Sequence, residues 1–119
     1  MRISIPSFKP GGLNAEVSAH FGRSELFTAV ELDGAKIERV WTIDNDGEHN
    51  CMLPVQKMAS EGIEAILITG IGGRPLSELQ SRGIRVYVGA TGTVNDAVED
   101  YLNSILKEAT LNDACSGHS

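Results

Sequence analysis

Apolar positions along this chain fall in two rhythms, alternation at the start and helical repeats interleaved with solid apolar runs later. Residues 2–6 alternate into a short strand, with Pro6 at its end, where a missing N–H is tolerated. Residues 7–24 hold few apolar positions and include Gly11-Gly12, which predicts a long loop. Residues 25–32 and 36–43 read as two further strands, rich in Leu, Ile, Val, Phe and Trp. Asp33-Gly34 between them is a hairpin dipeptide of the kind a type I′ turn demands. Asp44-Asn45-Asp46-Gly47 closes this half in turn chemistry.

From residue 50 onward the rhythm is helix then strand. Asn50 can cap a helix that holds Pro54 in its first turn, with Val55, Met58 and Ala59 as its apolar stripe and Gly62 as its end. Residues 63–69 are apolar apart from Glu64, the signature of a strand buried on both faces. Pro75 opens a second helix with Leu76 and Leu79 inward, Gly83 closes it, and residues 84–88 form another buried strand. Thr93 caps a third helix, whose Val94, Ala97, Val98, Tyr101, Leu102, Ile105 and Leu106 share one face. After Ala109 the chain turns small and polar. The expectation is a single domain over 1–108 with a flexible tail over 109–119.

The order β-β-β-α-β-α-β-α, an antiparallel meander followed by right-handed crossovers, predicts a three-layer α/β/α fold around a five-stranded mixed sheet. Four connections then emerge at one sheet edge, where ligands of open α/β sheets bind: 7–24, 44–50, 69–74 and 89–93. Composition narrows the function. A share of 41% hydrophobic residues excludes wholesale disorder, and a net charge of −6 argues against nucleic acid as a partner. No run approaches the roughly 20 apolar residues of a membrane span. The opening Met1–Pro6 stretch is too short and too soon interrupted for a signal peptide, so a cytoplasmic protein with reduced cysteines is expected.

The chemistry that converges on this edge is His20 from the first loop, His49 and Cys51 from the second, and two glycine loops leading into helix starts. Gly70, Gly72 and Gly73 lie in one loop and Gly92 and Thr93 in the other, where backbone N–H groups can receive an anion. Their plainer reading is two tight βα turns. His49-x-Cys51 and Cys115-x-x-His118 offer imidazole and thiolate, ligands suited to zinc, copper(I) or iron–sulfur species. Their plainer reading is a buried cap cysteine, a solvated histidine and an inert tail. No carboxylate lies on the first strand, which excludes two-metal nuclease chemistry.

The segment Val17-Ser18 followed by His20-Phe21-Gly22-Arg23 resembles the V-S-x-H-F-G-R segment of the dinitrogenase iron–molybdenum cofactor biosynthesis family, the NifX/NafY-like domains also found at the end of NifB. Gly70-Ile71-Gly72 before a helix, Gly83-Ile84-Arg85-Val86-Tyr87 before a glycine-threonine loop, and the tail Cys115-Ser116-Gly117-His118 agree with it. The resemblance covers residues 1–108. It implies a ribonuclease H-like fold and a non-enzymatic protein that carries an iron–sulfur or molybdenum-containing sulfide cluster between donor and acceptor proteins. By that resemblance His20 is the favoured cofactor contact and Arg23 a partner for cluster charge; His49, Cys51, Cys115 and His118, singled out by their spacing, are the further candidate metal ligands. Two alternatives stand beside it, a metal-free binding module for a small anion or metabolite, and a zinc-stabilised interaction protein.

Overall fold

The computed structural model describes residues 1–21, 24–45 and 52–109. Within them the chain forms β1 (Arg2–Ser7), β2 (Leu26–Asp33), β3 (Lys36–Asp44), α1 (Met52–Ser60), β4 (Ala65–Ile68), α2 (Gly73–Ser81), β5 (Arg85–Val88), α3 (Val94–Leu102) and β6 (Lys107–Glu108). These strands make one mixed sheet in the order β3-β2-β1-β4-β5-β6. Strand β1 pairs antiparallel with β2 from Arg2↔Glu31 to Ser7↔Leu26, and parallel with β4 through Ile3↔Ala65 and Ser4↔Ile66. Pro6 lies beyond the stretch paired to β4, so its missing N–H breaks no ladder on that side.

Both faces of the sheet are closed by apolar side chains. Val55 and Met58 of α1 and Leu76 and Leu79 of α2 pack with Phe27, Ala29, Ile66, Ile68 and Val86. On the other face Val94, Ala97 and Val98 of α3 meet Ile3, Ile5, Val30, Ala65 and Leu67. The near-continuous apolar run of β4 follows from this, since Ile66 and Ile68 feed one core and Ala65 and Leu67 the other, whereas the alternating β1 gives Ile3 and Ile5 to the α3 face alone.

The predicted class stands, with three local corrections. The sheet has a sixth strand, β6, which pairs antiparallel with β5 through Val88↔Lys107 and Tyr87↔Glu108. Helix α3 stops at Leu102 instead of running through Leu106, because Ser104 turns left-handed at φ 60°. There the Ser104 N–H bonds the Tyr101 carbonyl at 3.1 Å and the Ile105 N–H bonds the Asp100 carbonyl at 2.8 Å, the paired bonds of a Schellman end. The β2–β3 hairpin has positive φ at Gly34 alone (62°), so it does not meet the type I′ requirement at both central residues.

Candidate functional site

Strands β1, β3, β4 and β5 all run in one direction, so their carboxyl ends open on one edge, as the predicted topology requires. The loop after β1 is stitched across that edge. Val17 N–H bonds the Gly92 carbonyl at 2.8 Å and Ser18 N–H bonds the Pro6 carbonyl at 2.8 Å. Beneath it, the buried Ser7 and Thr28 hydroxyls lie 2.7 Å apart, and the Gly12 N–H bonds Thr28 Oγ1 at 3.1 Å. The loop then drives Phe21 into the core, its ring centroid 5.5 Å from that of Phe27. His20, the residue before this anchor, stays exposed, its N–H held by Ser18 Oγ at 3.3 Å.

The two glycine loops differ in what they leave available. At α3 the helix start is satisfied from within. Asp96 N–H bonds Thr93 Oγ1 at 3.1 Å, and Thr93 N–H bonds Asp96 Oδ2 at 3.0 Å, a closed capping box. Val94 N–H goes to the Ala15 carbonyl at 2.8 Å and Asn95 N–H to the Leu13 carbonyl at 2.9 Å. The Asp96 carboxylate thus occupies the place where an anion would sit on this helix dipole. Gly92 (φ +78°) is required here, because a Cβ would stand 2.5 Å from Asp96 Oδ2. The Thr93, Val94 and Asn95 N–H donors are thus bonded to the protein's own groups.

At α2 the position is reversed. Gly72 is its N-cap with no side-chain cap bond, and the first turn carries no acidic residue. Gly70 and Gly72 are exposed, and Ile71 between them packs against the core that also takes in Phe21. The N–H groups of Gly73 and Arg74 have no acceptor among the described residues, as the geometry of a first turn dictates when no cap is present. Arg74, exposed in that turn, adds a cation that the sequence pattern alone did not single out. Its signal was available: a charged residue directly after the glycine run, at a helix start lacking any acidic side chain.

Arg23, His49, Cys51, Cys115 and His118 lie outside the described residues. Within the described ones, no group of three or more His, Cys, Asp or Glu side chains is placed to hold a metal ion. Strand β6 runs antiparallel to β5, so at Ala109 the chain is heading away from the site edge. Ala109 N–H bonds the Val86 carbonyl at 2.8 Å, and its carbonyl accepts from Gln80 Nε2 near the far end of α2 at 3.2 Å.

Comparison with known proteins agrees with this architecture. The apo form of the orange protein from Desulfovibrio gigas is similar in structure, with a TM-score of 0.81 at 28% identity, covering 92% of each chain. The crystal structure of the protein PH0822 superposes with a TM-score of 0.80 at 30% identity, over 91% of this chain and 94% of that one. An uncharacterised protein of Methanocaldococcus jannaschii is 29% identical over 112 residues, 91% of either chain. A family model described as dinitrogenase iron-molybdenum cofactor matches residues 1–104. With this match over most of its length, the chain belongs to the dinitrogenase iron–molybdenum cofactor family.

Proposed function

We propose that the protein carries a preformed metal–sulfide cluster, iron–sulfur or molybdenum-containing, as cargo between donor and acceptor proteins, and performs no turnover of its own. The observation that carries this reading is the contrast at the strand-end edge, onto which the His20 loop also opens: the α3 terminus is filled by Asp96 and the α2 terminus stands uncapped. A sulfide cluster is anionic and presents many weak acceptors. Backbone N–H groups at Gly70, Gly72, Gly73 and Arg74 suit its sulfides, and glycine lets the backbone approach closely. His20 supplies an exposed imidazole on the same edge. Cys51 and His49 between β3 and α1, Arg23 after Phe21, and Cys115 with His118 near the C-terminus are the further contacts of the proposal. Thiolate and neutral imidazole must be deprotonated to ligate, so loading weakens as pH falls.

The test is anaerobic purification without chelators, followed by metal and sulfide analysis and an absorption spectrum. Near-stoichiometric metal and sulfide with visible charge-transfer bands is the expected result, either as purified or after supply of a soluble cluster. Full occupancy in a His20→Ala, Cys51→Ser double variant would overturn the assignment. The uncapped α2 terminus also favours a second reading, a metal-free module for a small anion. In that case inorganic phosphate raises the melting temperature, and the double variant leaves that shift intact.

A further inference from the structure

On the α3 face of the sheet, at its β5–β6 margin, lies a cavity of about 360 Å³ lined by Tyr87, Tyr101, Leu102, Ser104 and Leu106. We propose that this cavity is a second binding site, for a small planar aromatic carboxylate. It sits among strand interiors and the carboxyl end of α3, away from the uncapped α2 terminus, so it stands independently of the cluster-carrier reading.

Its size falls within the range of small-ligand pockets, roughly 300–1,000 Å³. The wall is aromatic: the Tyr87 and Tyr101 rings meet edge to face, centroids 5.0 Å apart at 72°, an arrangement a third ring can extend. Leu102 and Leu106 supply apolar surface.

The polar groups at the cavity favour a ligand rich in acceptors. Tyr101 O–H donates to the Met1 sulfur at 3.4 Å, a weak acceptor that a carboxylate oxygen would outbid, with the Tyr87 hydroxyl also in hydrogen-bonding reach. Arg85 precedes Tyr87 by two residues on the same side of β5 and lies near its hydroxyl and Glu108. The exposed Arg85 guanidinium hydrogen-bonds the Tyr87 hydroxyl at the rim of the cavity, with Glu108 nearby, and its fork of N–H donors leaves others to face a ligand. Ser104 is the one non-glycine residue among them with positive φ, at a helix end where glycine is the easier residue. That strained position places a hydroxyl-bearing residue in the cavity wall, where glycine would leave none.

Benzoate serves as the probe, titrated into the ¹⁵N-labelled full chain, with acetate as the carboxylate control and benzyl alcohol as the ring control. Benzoate is expected to give saturable shifts confined to residue 87 and residues 101–106, half-complete near about 1 mM. Each control should bind about tenfold more weakly. Arg85→Gln should weaken benzoate by about tenfold and leave benzyl alcohol unchanged, a split that general loosening of the fold does not produce. Tyr101→Leu should weaken both ring-bearing probes. Absence of saturation at 20 mM (roughly twentyfold above the expected midpoint), shifts centred on residues 70–74, or an unaltered benzoate affinity in Arg85→Gln would each overturn the proposal.

Discussion

Gly92 and Asp96 are fitted to one another: the glycine's left-handed backbone and missing Cβ make room for the carboxylate that closes the start of α3. Gly92→Ala must therefore both strain the backbone and push Asp96 off its bonds, a cost of about 1–3 kcal/mol. Urea denaturation should show the midpoint falling with the slope unchanged. Ser104 presents the opposite case, a left-handed position occupied by a residue with a Cβ. Ser104→Gly should stabilise the fold by about 0.5–1 kcal/mol, read in the same experiment. Neither residue's role was legible in the sequence. Gly92 reads there as a ligand-approach glycine, because spacing shows a flexible position and not which group fills the space beside it. His20 was legible as an edge residue, since the topology rules that placed its loop needed only strand order.

At the scale of elements, the β4 run and all three helices were legible, because their burial patterns are strong, whereas β5, read as another buried strand, leaves Arg85 exposed and Tyr87 and Val88 half-buried. The end of α3 was not. Ile105 and Leu106 continue the i, i+3, i+4 stripe, yet Ile105 is 66% exposed and Leu106 reaches the core by way of the turn into β6. Strand β6 has only two residues, too few for any period to show. The contact of α3 with β5 also sets a pH dependence. Burial, then the neighbouring Tyr87, holds the Tyr101 phenol above its ordinary 10.0, while Arg85 pulls the other way. A phenol raised in the folded state favours its neutral form there. Its contribution to stability is intact below about pH 10 and is lost as pH climbs through the raised value. Urea midpoints taken from pH 8 to pH 11 (roughly a window spanning the unfolded phenol's titration) should fall at the alkaline end, and Tyr101→Phe should flatten that fall. Asp96→Ala tests the other end of the helix. Loss of its cap should cost about 1 kcal/mol and speed hydrogen exchange at the first amides of α3 before any other element.

For the whole molecule, the division between core and edge decides what the cargo can mean for folding. The apolar faces of the sheet are closed by side chains from α1, α2 and α3, and each large buried side chain contributes roughly 1.5–3 kcal/mol. His20 and the exposed glycines of the α2 loop stand outside those cores, next to backbone already held by the hydrogen bonds of the β1–β2 loop and by the Gly89 and Ala90 amides on the Thr69 and Ile68 carbonyls. A fold organised in this way does not need its ligand to form. Protein stripped of metal by EDTA under anaerobic conditions should keep its far-UV circular dichroism and melt in one cooperative transition. Reloading with cluster should then raise the melting temperature through mass action, by about 2.7 kcal/mol of added stability when free ligand is a hundredfold above its dissociation constant. If the stripped chain instead loses its cooperative transition, and zinc alone restores it, the metal belongs to the fold and the zinc-stabilised reading replaces the carrier.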